Sequence, residues 1–424
     1  MNRRSVLALL AAVAVATPLA ACGSTPEATG AADNGPVELT VSVWNMATTP
    51  EFKALFDAFH AANPNITVKP VDILAADYPT KITTMLAAGD TTDVITMKNV
   101  IDYSRYAGRG QLKDLTPLAT KGEADKLNGL GAFRQENGKY YALPYRQDFW
   151  LLYYNKKLFD AAGKPYPTNL TWDAYAELAK SLTSGTGQNK VYGTYQHTWR
   201  SVVQAVAAAQ TGGDLLGGDY GFLTDQYRNA LALQDAGATI DFGTATTQKT
   251  GYQSVFENKQ AAMLPMGTWF IAKLLADRAA GTTDADWALA PLPQRPGASG
   301  VATFGSPTGF AVNKKAGHAD AAQKFVEFAA GPEGAKAVTA VGVVPALLTE
   351  QTRQAYFALP GMPTDDGSRK AFTPDRVALE MPVGPKTSQI DTILSEEHQL
   401  VMTKQKQVDA GIKEMNSRVK TETD

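Results

Sequence analysis

Apolar and polar residues alternate through VELTVSVW, residues 37–44, which is the spacing of a half-buried strand. The next stretch, PEFKALFDAFHAANP, changes period. Phe52, Leu55, Phe56 and Phe59 fall on one helical face, with Pro50 near the start and Asn63-Pro64 closing the run. NITVKPVDI predicts a second strand. DYPTKITTMLAAG predicts a helix carrying Ile82, Met85 and Leu86 that stops at Gly89, and DVITM a third strand. Strand and helix in strict alternation imply an open, largely parallel sheet with helices on both faces. RQENGKYYALP breaks that rhythm, because Asn137-Gly138 between extended runs predicts a hairpin turn. FWLLYYNKKLF then predicts a strongly apolar strand, and TWDAYAELAKSL a helix capped by Thr171. Helices are expected from about Ser201 and about Trp269, followed by the strand GFAVN, the helix ADAAQKFVEFAAG and a charged helical region from about Ser388. No internal repeat is visible.

The N-terminal residues follow another pattern. MNRR precedes SVLALLAAVAVATPLAA, an uncharged apolar run, which is the layout of a secretory signal. Residues 6–21 fall short of the roughly 20 that a membrane-spanning helix needs. Leu19-Ala20-Ala21-Cys22 resembles a bacterial lipobox, so lipidation at Cys22 and removal of residues 1–21 are expected; an ordinary cleaved signal is the alternative. The paired arginines loosely resemble a twin-arginine export signal as well. The following GSTPEATGAADNGP has no bulky apolar residue and suits a tether over residues 22–36. Cys22 is the single cysteine, so no disulfide framework exists and stability must come from a core. At 44% hydrophobic residues and this length, the remaining chain can build two domains.

Charge excludes some partners. The formal net charge is −2, and loss of Arg3 and Arg4 with the leader would leave 38 basic side chains against 42 acidic ones. No basic cluster with interleaved aromatics is present, so a nucleic-acid partner is not expected. No second apolar segment is long enough to span a membrane, so a soluble body held to the membrane by lipid alone is expected. His60, His197, His318 and His398 lack partners at helical spacing, so no metal site is expected; His60, His318 and His398 read as helix-surface residues. No phosphate-cradling glycine loop or nucleophile elbow occurs, and no cofactor is implied. Two carboxylates meeting in space, as in a glycosidase, would leave no sequence signal.

The tryptophans are more telling. Trp44, Trp150, Trp199 and Trp269 each fall at the end of a strand or the start of a helix, beside Asn45, Asp148, Arg200 and Gly267. Flat apolar faces beside polar groups suit a carbohydrate, and core packing is the alternative for each. Trp172 and Trp287, within amphipathic patterns, are assigned to core.

Five segments together carry a family resemblance: YYALPYRQDFWLLYYNKKLFDAAG with TWDAYAELAK, FENKQAAMLPMGTWFI, GFAVNKKAGHADAAQKFVEFAAGPEGAKAV, and GVVPA. In that order the chain resembles the extracellular solute-binding lipoproteins of carbohydrate ABC importers, the family that includes maltose-binding protein. The resemblance implies an α/β fold of two lobes, each a mainly parallel sheet flanked by helices, with the ligand cleft between them. The expected division is 37–146 with 298–341 for the first lobe and 147–297 with 342–424 for the second. It further implies a non-enzymatic receptor, monomeric, whose partners are a di- or oligosaccharide and the permease subunits. Ligands in such sheets bind beyond the carboxyl ends of strands, which selects Asn45, Met46, Lys98 and Asn99 and assigns Asp93, at the other end, to capping a turn. Asp148 matches the family's cleft carboxylate, with Arg146 either orienting it, binding oxygen itself, or forming a salt bridge. Trp269 matches the stacking tryptophan, Gly267 the close approach before it, and Trp199 an aromatic of the second lobe. Trp150, the return-crossover residues Phe304, Gly305 and Ser306, and Lys386 and Gln389 complete the expected set. A receptor of the same fold for a polyamine or peptide, and a secreted carbohydrate-active enzyme, are the alternatives.

Overall fold

The structure is a computed structural model that describes residues 35–423; the leader, Cys22 and nearly all of the tether lie outside them. The predicted alternation is present as β1 (Val37–Trp44), α1 (Pro50–Ala62), β2 (Ile66–Ile73), α2 (Tyr78–Ala88), β3 (Val94–Met97) and α3 (Val100–Gly108). The phenylalanine face of α1 is buried, and Phe59 meets Phe325 edge-on at 5.1 Å. α2 stops at Gly89, whose left-handed backbone (φ 80°) lets its N–H reach the last carbonyls of the helix. Asp93 accepts from the backbone N–H and hydroxyl of Thr40 in β1 and from the N–H of His318, so it caps the turn at residues 317–318, as expected, and ties it to β1.

After a turn at Asn137-Gly138, closed by Gln135 N–H to the Lys139 carbonyl at 2.9 Å, comes the long strand β4 (Leu143–Asn155). The second half of the chain contains α4 (Trp172–Leu182), β5 (Tyr192–Thr194), α5 (Gln204–Thr211), α6 (Thr224–Asp235), β6 (Ala261–Gly267), α7 (Trp269–Ala279) and β7 (Trp287–Ala290). It ends with β8 (Ala302–Val312), α8 (Ala319–Ala330), α9 (Pro332–Thr339), β9 (Arg376–Leu379), α10 (Thr387–Met402) and α11 (Val408–Glu422). Thr171 caps α4 by accepting from Ala174 N–H.

Strand order is β2-β1-β3-β8-β4-β6-β5, with β7 added to β4 and β9 to β8. The expectation of mainly parallel lobes holds only in part. β1 pairs β2 and β3 in parallel, as do β5 with β6 and β8 with β9. The pairs β3–β8, β4–β8, β4–β6 and β4–β7 are antiparallel. The reason is topological. β4 carries the chain out of the first lobe and β8 brings it back, so the two run in opposite directions. The first half of β4 pairs with β8, and its second half with β6 and β7, so one strand serves both lobes.

Three apolar clusters follow from this. One gathers α1, β1, β3, Tyr145, Phe310 and Phe325; a second gathers Phe149 to Tyr154, β6, β7 and Phe304. A third joins α5 and α6 to α10 and α11 through Tyr227, Leu394 and Met415. Trp172 and Trp287 are core, as expected. His398 corrects its surface assignment: it is 3% exposed inside the third cluster, whereas His60 and His318 are exposed.

Candidate functional site

Residues from the carboxyl ends of β1 and β3, from β4, from the β6–α7 junction and from α10 line one cavity of ≈ 750 Å³. Its first-lobe wall is built on Trp44, the last residue of β1. Phe52 and Tyr78 hold that indole edge-on at 4.9 and 5.2 Å. Lys98 follows β3 directly, donates to the Ala75 carbonyl at 2.6 Å and stands 5.3 Å from the centre of the Trp44 ring. Burial brings the Lys98 ammonium down to about 8, helped by the neighbouring Arg146 charge. Asn45 lines the cavity in a left-handed conformation (φ 44°), its carboxamide oxygen accepting from Ala75 N–H at 2.9 Å. Asn99 lines it too, while capping α3.

The crossover contributes charge. Arg146 donates through Nη1 to Glu51 at 2.7 Å, and its Nε lies 3.1 Å from Asp148. Asp148 also accepts from the Thr268 hydroxyl at 2.8 Å. Glu51 and Asp148 are each 2% exposed, and burial raises both carboxyl pKa values against the opposing pull of Arg146. All three line the cavity. Arg146 is therefore both a salt-bridge partner and a wall residue, and Asp148 is fixed from two sides before any ligand arrives.

The second-lobe wall is aromatic. Trp199 is 41% exposed and lies 6.1 Å from Trp269 and 5.9 Å from Tyr252, ring centre to ring centre. The Trp269 indole N–H donates to the Tyr252 hydroxyl at 3.0 Å. Trp150 lies beneath, edge-on to Trp269 at 5.7 Å and stacked on Phe304 at 4.9 Å. On the α10 side, Asp391, Ser395, His398 and Gln399 line the cavity, and Arg200 Nε donates to Asp391 at 2.7 Å. Glu380 also lines it, with its pKa raised by burial.

Of the residues expected from sequence, Asn45, Lys98, Asn99, Arg146, Asp148, Trp199, Trp269 and Ser306 meet at this cavity. Others need correction. Trp150 and Phe304 are 1% and 0% exposed, and they support the aromatic wall from behind instead of forming it. Gly305 sits under β4, where a Cβ would come within 1.9 Å of the Asp148 carbonyl. Gly267 makes room for the Trp269 ring, not for ligand. Met46 packs on the first core, and its N–H donates to Asp72. Lys386 and Gln389 are exposed and off the cavity wall, because the inward face of α10 is the one carrying Asp391, Ser395 and His398. Sequence reasoning missed Glu51, Tyr252, Glu380, Asp391 and His398. Glu51 sits beside the phenylalanine face of α1 and looks like an ordinary first-turn acid; the nearest signal was Arg200 next to Trp199.

Residues 45–336 match the family described as bacterial extracellular solute-binding protein. A sugar transporter from Rhizobium etli, solved in an open conformation, superposes with a TM-score of 0.76 at 37% identity, covering 91% of this chain and 99% of that one. The maltodextrin-binding protein of Bacillus subtilis is 26% identical over 356 residues, 78% of this chain and 77% of its own length. A binding protein of Brucella abortus is 31% identical over 182 residues, 38% of this chain, which spans only 39% of that relative's length.

Proposed function

The chain belongs to the bacterial extracellular solute-binding proteins, and from that premise we propose that it captures a di- or oligosaccharide and hands it to the permease of an ABC importer. The observation that carries this is the cavity wall. Trp44, Trp199 and Trp269 supply apolar ring faces, while Asn45, Asp391 and the Glu51–Arg146–Asp148 line supply hydrogen-bonding groups around them. A sugar needs both, since its ring faces are apolar and its rim is hydroxyls. Lobe closure over the ligand, in the manner of periplasmic binding proteins, would present a joint surface of both lobes to the permease. The working lobe boundaries are those expected from sequence, with the crossovers shared: Val343, Ala346 and Leu347 pack in the first core and Phe304 in the second. The protein acts as a monomer and without turnover in this reading. A polyamine receptor would call for acids without cations, and Lys98 and Arg146 in the wall weigh against it.

A thermal-shift screen over mono-, di- and trisaccharides, with labelled sugars checked for products, tests the reading. A sugar at 100 times its dissociation constant should stabilise the fold by about 2.7 kcal/mol. No stabilising sugar, or product formation, would sink it. The lipid anchor at Cys22 belongs to the same proposal, since it would keep a receptor beside its transporter. One acyl chain holds a membrane only marginally, so the modification must supply more than one. Processing unchanged by globomycin would count against the anchor.

A further inference from the structure

Four carboxylates line the cavity: Glu51, Asp148, Glu380 and Asp391. Three of them are spent within the protein. Arg146 holds Glu51 and Asp148, and Arg200 holds Asp391 through Nε at 2.7 Å and through Nη2. Arg200 Nη1 goes to the Gln204 carboxamide oxygen at 3.3 Å, so all three nitrogens of that guanidinium are engaged away from Glu380. Among the described residues, Glu380 is the wall carboxylate without an ion pair.

Its position follows from β9. That strand runs parallel to β8, with Leu379 beside Gly305, and Glu380 is the first residue past its carboxyl end. The Glu380 N–H donates to the Gly305 carbonyl at 2.9 Å, which fixes its backbone next to Ser306 on the cavity wall. The rule that selects Asn45 and Lys98, binding beyond the carboxyl ends of strands, therefore selects Glu380 as well. β9 left no signal in the sequence, because its four residues RVAL have no buried face to set a period.

The carboxylate itself stands among wall residues. Ser201, Arg200, Asp391 and Asp148 are the groups whose hydroxyl or charge acts on it, and all four line the same cavity. Glu380 is half-buried, against 2% exposure for Glu51 and Asp148, and neither of its oxygens is among the sealed polar atoms of the fold. Burial, with Asp391 and Asp148, raises its pKa against the pull of Ser201 and Arg200. A carboxylate drawn partly out of water with no cation of its own costs stability, and clefts keep such groups for use.

Resting on the sugar-receptor reading, we propose that Glu380, and not Asp148, is the carboxylate that the ligand uses, its two oxygens accepting from adjacent hydroxyls of one sugar ring. Asp148 then belongs to the framework that Arg146 and Thr268 hold. A carboxylate with both oxygens unspent selects for a ring with neighbouring free hydroxyls at that place, and against a substituent that brings acceptors alone.

The test uses the mature full chain with maltotriose as the first probe and lactose and mannitol as further ones. Glu380→Gln keeps the shape and one acceptor but loses the charge, so calorimetry should find the probe bound roughly ten- to a hundred-fold more weakly. Denaturant titration of the ligand-free protein supplies the second readout. A raised folded-state pKa makes this residue lower the stability of the wild type as pH climbs past the ordinary carboxylate range. Glu380→Gln should therefore be more stable than wild type at pH 8, and the gain should shrink toward pH 4. Equal affinity of wild type and Glu380→Gln for a probe overturns the proposal. So does a ligand-free Glu380→Gln that is less stable than wild type at pH 8, since the carboxylate would then be a partner within the protein. If no probe sugar binds the wild type, the receptor reading itself fails and this inference falls with it, an outcome distinct from the other two.

Discussion

Lys98 shows how one residue links burial to function. Its ammonium has a carbonyl and a tryptophan face for company, but no carboxylate within ion-pairing distance among the described residues. Burial lowers its pKa to about 8 from an ordinary value of 10.5. Between those values the unfolded chain holds the proton and the folded one does not, so this residue makes stability rise with pH across that window. Below pH 8 the buried charge costs up to about 3 kcal/mol. Lys98→Met should therefore stabilise the ligand-free protein at pH 7, and the gain over wild type should shrink toward pH 10. If a ligand oxygen uses the ammonium, wild-type affinity should also fall as pH passes 8. Denaturant titrations of both proteins at pH 7 and 9.5, with calorimetry on the wild type, check this. A stability difference that does not change with pH would mean that Lys98 is solvated and ordinary.

At the scale of elements, the β6–α7 junction decides where the stacking ring stands. A Cβ at Gly267 would lie 1.9 Å from Trp269 Cζ3 and 2.2 Å from Cη2, so any side chain there displaces the indole. Gly267→Ala should thus weaken sugar binding about as much as Trp269→Ala, although it deletes no contact atom. Trp269 is only partly buried, so truncating it should leave the melting temperature within a few degrees. A binding loss in Trp269→Ala alone would show that the ring position is set elsewhere. Such junctions explain what the chain discloses unaided. α1, α2 and α4 were legible because their apolar spacing and their ends at Asn63, Gly89 and Thr171 act locally. The junction tryptophans were legible for the same reason, yet only the structure separates Trp199 and Trp269, at the wall, from Trp150, behind it. Antiparallel crossovers were not legible, since strand direction depends on which lobe the chain enters next. Glu51 and His398 were missed because each needs partners far along the chain, at Arg146 and Tyr227.

Across the whole molecule, a line of polar contacts runs from the first lobe to the second. Glu51 opens α1, Arg146 and Asp148 occupy the crossover strand, and Thr268 precedes the tryptophan of the aromatic wall. Were Asp148 a ligand acceptor alone, its replacement by Asn would leave the ligand-free protein intact or slightly more stable. Its geometry favours the other outcome. Removing one member of a buried ion pair strands the other, a loss of about 3–5 kcal/mol. Arg146→Gln, which strands both Glu51 and Asp148, should destabilise the ligand-free protein on that order; Asp148→Asn should cost less, because Glu51 still pairs Arg146, and the double mutant should lose less than the sum of the two. Glu51→Gln removes the first-lobe end of the same line while keeping its shape. Because that line crosses between the lobes, Glu51→Gln should also alter the compaction that a saturating sugar produces, read as the change in radius of gyration by X-ray scattering. Additive stability losses for Asp148→Asn and Arg146→Gln would show that the two side chains are neighbours without being partners. Coupled losses with unchanged compaction in Glu51→Gln would confine the line to stability and take it out of lobe closure.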